Sequence, residues 1–201
     1  MNYESEIFVR SIQYSAFSTM IQTHGCVRHM YDLNEDAQQI SAYYSQLHED
    51  LTPYLQKMSQ IACDTGMPVM RHMVLQYQDD ANVANLETQY MFGEALLVAP
   101  ILEASLTKGS RYNGNYYAYD HNYAQDMTRT VYLPAGEWVD LRTGETIIST
   151  GETITTTAAF HEIPVYLDAN SKYASELRQV FAGDAWGNLM GDFSESDIFD
   201  D

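Results

Sequence analysis

The sequence predicts two halves of different class. An α/β half covers residues 1–102 and an all-β sandwich covers residues 129–183, with a Tyr-rich insertion at 103–128 between them and an acidic tail at 184–201. Three observations predict this. A long apolar stripe at helical spacing runs from Ile40 to Ile61. Two mostly apolar runs follow it, as in a sheet covered on both faces. From Thr130 onward, short alternating runs are punctuated by turn residues, the pattern of a sandwich.

The elements follow in order. Ile7, Tyr14, Phe17 and Ile21 have helical spacing over residues 4–22, with Ser11 as a gap. Asn34 suits the N-cap of the long helix. Ile40, Tyr44, Leu47, Leu51, Tyr54, Met58 and Ile61 then recur every three or four residues. Pro53 should kink or divide that helix, because it lacks an N–H and its ring crowds the preceding turn. Gly66 suits its C-cap, with Pro68 just beyond. Residues 69–77 read as a strand. An acidic loop then leads to a brief helix near Leu86, and Leu96–Ile101 reads as a second strand. The runs TVYL, EWVDL, ETIIS, ETITTT and IPVYL read as sandwich strands, separated in part by Pro134-Ala135-Gly136 and Arg142-Thr143-Gly144. The stretch DANSKYASELRQVF looks helical, and the tail after it has six acidic residues and no basic one.

Composition narrows the function classes. The formal net charge is −18, from 10 Lys+Arg against 28 Asp+Glu. Such a field repels nucleic acid and anionic membrane surfaces, so neither is expected as a partner. A neutral sugar is indifferent to it. No run of 18 apolar residues occurs, which excludes a transmembrane helix. The N-terminus MNYESEIFVR lacks the pattern of a signal peptide, and the location is left open with the cytoplasm favoured. Cys26 and Cys63 make no disulfide framework or metal spacing and read as small core residues. No phosphate loop, metal cluster or serine-nucleophile motif is present, so no cofactor is expected.

Several segments carry a resemblance in a fixed order: FVRSIQYSAFSTMIQTHG at 8–25, LTPY at 51–54, GMPVMRHMVL at 66–75, QYMFGEALLVAPIL at 89–102 and YLPAGEWVDLRTGE at 132–145. Together they resemble the C-terminal part of family 31 glycoside hydrolases, over about residues 4–167. The resemblance implies that residues 1–102 are the last two βα units of a TIM barrel. Its seventh strand would lie near Phe17–Thr23 and its eighth at 66–75. The sandwich would be the domain that follows the barrel. It also implies an enzyme acting on α-linked glucosides or xylosides through two carboxyl groups. In that family both are aspartates on earlier barrel strands, in motifs such as Trp-x-Asp-Met-Asn-Glu, and no such motif occurs here.

The chain is therefore expected to hold no catalytic residue and to be inactive alone. Its partners would be the carbohydrate substrate and the missing N-terminal part of the same enzyme. The alternative is a non-catalytic carbohydrate-binding or interaction module. By resemblance His24, in THG, would hydrogen-bond sugar hydroxyls, donating from one ring nitrogen and accepting at the other. Phe17 and Ser18 would shape the pocket wall, with Thr19 where the family has proline. Arg71 matches a family arginine and would form a structural ion pair. Asp32, Asp79 and Asp80 read as solvated loop carboxylates. Tyr112, Tyr116, Tyr117, Tyr119 and Tyr123 could stack on sugars or serve as half-buried tyrosines of a hairpin.

Overall fold

The computed structural model describes residues 3–23, 30–33, 35–102, 109–112, 116–119 and 126–182. His24, Cys26, Asn34, Tyr123 and the tail 184–201 lie outside the described residues.

Three helices open the chain: α1 (Tyr3–Ala16), α2 (Glu35–Asp50) and α3 (Thr52–Thr65). The long stripe behaves as its spacing predicts. Ile40, Tyr44, Leu47, Leu51, Tyr54 and Met58 are all buried. Pro53 sits in the first turn of α3 and divides the stripe into two helices. Gly66 ends α3 at φ 79°, and its N–H donates to the Ala62 carbonyl. That left-handed cap satisfies one of the orphan carbonyls of a helix end. Cys63 is exposed on α3, not a core residue, because it lies on the face opposite Tyr54 and Met58.

Helix α1 turns a different face inward from the one its periodicity predicts. Ile7 and Tyr14 are partly exposed, while Val9, Ile12 and Ala16 are buried beside Glu6, Arg10 and Gln13. Polar residues face inward because they have partners there. Arg10 Nη1 donates to the Phe160 carbonyl at 3.1 Å, and Gln13 Nε2 donates to the same oxygen at 3.0 Å. After Ala16 the chain turns, and residues 17–23 form no strand.

The centre of the fold is a six-stranded sheet of order β1-β2-β3-β10-β7-β8. Its strands are β1 (Met70–His72), β2 (Tyr90–Phe92), β3 (Leu96–Val98), β7 (Gly136–Asp140), β8 (Thr146–Ser149) and β10 (Val165–Asp168). Every pairing within it is antiparallel. The barrel reading asks for parallel strands. The expected eighth barrel strand instead pairs antiparallel with β2, Met70 opposite Phe92. The strand expected at 69–77 is also cut short. His72 Nδ1 accepts the Val74 N–H and caps a short helix, α4 (Met73–Gln76). An apolar run of that length is compatible with either state. In place of a helix near Leu86, one turn of 3₁₀ helix spans Ala81–Val83.

Both faces of this sheet are covered. Phe92, Leu96, Val98, Val139, Val165 and Leu167 share one core with the helices. Met91, Leu97, Trp138 and Tyr166 alternate onto the other face, in a core with Val131 and Leu133. Those two belong to β6 (Met127–Leu133), which pairs with β9 (Glu152–Ala158) in a separate ribbon. The result is three layers, and the two-residue period of a strand explains why Leu96, Leu97 and Val98 are all apolar.

The insertion contributes a two-stranded hairpin of β4 (Gly109–Tyr112) and β5 (Tyr116–Tyr119), with Tyr112 opposite Tyr116. The stretch after β10 is helical as expected, α5 (Ala174–Phe181), and packs Leu177 and Phe181 into the helix-side core. Among the described residues no helix is long and apolar enough to cross a membrane.

Candidate functional site

The sequence points to the segment that leaves α1. A helix end exposes carbonyls without intrahelical partners, and here side chains from distant elements reach them. His48 Nδ1, on α2, is 3.0 Å from the Ala16 carbonyl. The Tyr90 hydroxyl, on β2, donates to the Phe17 carbonyl at 2.9 Å. Ser18 Oγ lies 2.8 Å from both the Ser15 and Met20 carbonyls, so its hydroxyl holds the turn.

The Phe17 side chain is fully buried. Its ring stacks on Phe181 with centroids 6.3 Å apart and meets Phe92 edge-on at the same separation. Ser18 is buried beside it. The two residues are brought together, and His24 falls outside the described residues. Sequence reasoning missed His48 and Tyr90, because nothing local marks a side chain whose partner lies on another element.

Arg71 is buried, and its partners correct the ion-pair expectation. Nε donates to the Pro68 carbonyl at 2.7 Å and Nη1 to Gln76 Oε1 at 3.1 Å. Gln76 in turn donates to the Glu94 carbonyl at 2.8 Å. Among the described residues no carboxylate pairs with Arg71, and its Nη2 is buried without a partner. The guanidinium holds the β1–α4 corner through neutral oxygens.

Asp79 is exposed, as expected of a loop carboxylate. Asp80 is engaged. Its Oδ1 accepts from the backbone and side-chain nitrogens of Asn82, both at 3.0 Å, and its Oδ2 accepts from the Tyr132 hydroxyl at 2.5 Å. The Tyr132 hydroxyl and then the Asn82 N–H stabilise the anion and hold the Asp80 carboxyl below the usual carboxylate range. Partial burial, and then the hydrogen bond to that anion, push the Tyr132 phenol up. These residues floor a cleft of about 640 Å³ between the 76–82 loop and the turns at 134–135 and 150–151. A smaller cavity of about 400 Å³ lies beside Arg129, Ile101 and Met127. There Arg129 donates to the Pro100 and Thr88 carbonyls. Among the described residues no group of three His, Cys, Asp or Glu could hold a metal ion. What the described residues offer is hydrogen-bond recognition.

Comparison with known proteins adds a family. A profile described as the glycosyl hydrolase family 31 C-terminal domain matches residues 66–171, beginning just before β1 and ending just after β10. An isomaltosyltransferase from Sporosarcina globispora is 27% identical over 94% of this chain and 17% of its own length. A sulfoquinovosidase from Escherichia coli is 30% identical over 87% of this chain and 23% of its own. Among solved structures, a family 31 sulfoquinovosidase from E. rectale, in complex with an aza-sugar inhibitor, has a TM-score of 0.72 at 27% identity. That match covers 89% of this chain and 24% of the other. The chain thus spans about a fifth of the length of the curated relatives it matches.

Proposed function

The chain belongs to glycoside hydrolase family 31, and on that premise we propose that it is the C-terminal part of a retaining enzyme acting on α-linked glucosides or xylosides. In this reading it supplies the sandwich and part of the sugar subsite and does not turn over substrate alone. The match over residues 66–171 carries the proposal, because a profile described as the family's C-terminal domain covers every strand of the central sheet. The two reacting carboxylates stand about 5–5.5 Å apart in such enzymes, and here they would come from the remainder of the enzyme.

The residues at the end of α1 have the supporting role. His24 would bind sugar hydroxyls, with an imidazole that offers one donor and one acceptor. Phe17 and Ser18 would form the wall behind it. The buried Phe17 ring and the capped Ala16 and Phe17 carbonyls support a rigid wall, since a subsite contributes most when its groups are fixed in advance. Asp79 and Asp80 take no part in catalysis in this reading.

The test is turnover. The purified 201-residue chain should not hydrolyse aryl α-glucosides or α-xylosides above background. Co-expression with the remainder of a family 31 enzyme should restore activity. Turnover by the chain alone that survives repurification, and is lost when one of its Asp or Glu residues is neutralised, overturns the proposal.

A further inference from the structure

The cleft between the 76–82 loop and the turns at 134–135 and 150–151 is not used by the reading above. Its floor is fixed before any ligand arrives. The Tyr132 hydroxyl donates to Asp80 Oδ2 at 2.5 Å and accepts from Asn82 Nδ2 at 3.2 Å, while Asp80 Oδ1 holds both nitrogens of Asn82. Around that floor stand groups with capacity left. The Gln78 amide, the Asp79 carboxylate and the Thr150 hydroxyl are exposed. None of the three has a hydrogen-bond or ion-pair partner among the described residues. They come from two separate segments of the lining, to which Pro134 and Ala135 add apolar surface.

The chemistry of this lining selects a ligand class. It holds two carboxylates and no cationic side chain, so an anion is repelled. A calcium ion takes about six to eight oxygen ligands, and among the described residues no cluster of three carboxylate, His or Cys groups exists to supply them. A neutral polyhydroxyl compound fits what remains. A carboxylate accepts from two neighbouring hydroxyls, an amide donates and accepts, and a threonine hydroxyl does both. The volume of about 640 Å³ lies within the range of about 300–1,000 Å³ usual for small-molecule sites.

We infer that this cleft binds a neutral oligosaccharide through Gln78, Asp79, Asn82 and Thr150, over a floor made by Tyr132 and Asp80. The ligand class rests on the carbohydrate reading of the family. The site itself uses none of Phe17, Ser18 and His24. Asp80 and Asn82 are already immobilised, so the side-chain ordering on binding falls on Gln78, Asp79 and Thr150.

The experiment is a titration of the ¹⁵N-labelled 201-residue chain with isomaltose and with maltotriose. Saturable shifts are expected at the side-chain amides of Gln78 and Asn82 and at the Gly151 N–H. The double variant Gln78→Ala/Asp79→Ala should weaken binding at least about tenfold, which is about 1.4 kcal/mol, with an unchanged far-ultraviolet spectrum because both residues are exposed. Ile148→Ala, exposed and outside the cleft lining, should leave the affinity unchanged. Absence of saturable shifts overturns the inference, as does full affinity in the double variant. Binding that needs calcium and disappears on chelation also overturns it. Binding lost in His24→Ala and kept in the double variant would support the α1 subsite and sink the cleft. The reverse pattern supports the cleft whatever becomes of the subsite.

Discussion

Replacing Gly93 by alanine tests the packing of α3 on the central sheet. Gly93 stands in the turn between β2 and β3 at φ 63°, and its N–H donates to the Val69 carbonyl at 2.7 Å. A Cβ there would sit 2.6 Å from Met58 Cγ and Sδ and would overlap the Tyr54 hydroxyl. Neither neighbour can retreat. Met58 is fully buried, and the Tyr54 hydroxyl donates to the Phe92 carbonyl and accepts from the Ala95 N–H, both at 3.0 Å. The left-handed backbone costs an alanine about 1–2 kcal/mol, and overpacking a filled core adds about 1–3 kcal/mol. The expected loss is therefore about 2–5 kcal/mol. Urea unfolding followed by circular dichroism reads it. With a slope of about 2 kcal/mol/M, the midpoint falls by about 1–2.5 M. Gly66→Ala is the control, since Gly66 has φ 79° with nothing within 4 Å of the added Cβ. It should lose the backbone contribution alone. Equal losses for the two variants would show that Tyr54 and Met58 yield to the methyl group, and would refute the rigid-contact argument.

Three further outcomes are expected. Gln89 is buried and mimics a ladder residue, donating to the Tyr132 carbonyl at 2.7 Å and accepting its N–H at 2.9 Å. Gln89→Leu orphans both groups and should cost about 2–4 kcal/mol by thermal unfolding, and a loss below about 1 kcal/mol would mean water replaces the amide. Burial holds the His161 imidazole below its usual range, against the opposing pull of Glu162 and Asp126. The unfolded chain then binds the proton more readily, so stability is full above about pH 6.5 and falls as the pH drops below it. His161→Gln should flatten that slope in urea titrations at several pH values, and an unchanged slope would assign it to other groups. In a reconstituted complete enzyme, His24→Ala should lower kcat/KM by the equivalent of about 1–3 kcal/mol, whereas unchanged kinetics would remove His24 from the subsite.

Legibility in the sequence followed the range of the interactions. The sandwich strands were readable because alternation and turn residues are local signals, and β6 to β10 fall where TVYL, EWVDL, ETIIS, ETITTT and IPVYL predict. The α2–α3 stripe was readable for the same reason, with Pro53 and Gly66 as its punctuation. The inner face of α1 was not. Glu6, Arg10 and Gln13 look like a solvent face until the Phe160 and Glu162 carbonyls are placed beside them. At the site, Phe17 and Ser18 are marked by resemblance alone. The His48 and Tyr90 contacts that fix their backbone depend on elements far along the chain. Arg71 reads as half of an ion pair because a buried cation usually has a carboxylate, and here a carbonyl and an amide serve instead.

Strand β10 lies between β3 and β7 and bonds to both. Of the six strands of the central sheet it is the last to leave the ribosome. Until Val165–Asp168 is available, β3 and β7 each present an open edge, and residues 70–98 share no ladder with residues 136–149. Open edges recruit other chains, so a nascent or prematurely terminated product is at its most association-prone just before Val165–Asp168 emerges. Breaks in the 103–125 stretch leave every ladder of the central sheet intact, whereas loss of a few residues around Leu167 removes the one strand that joins its two parts.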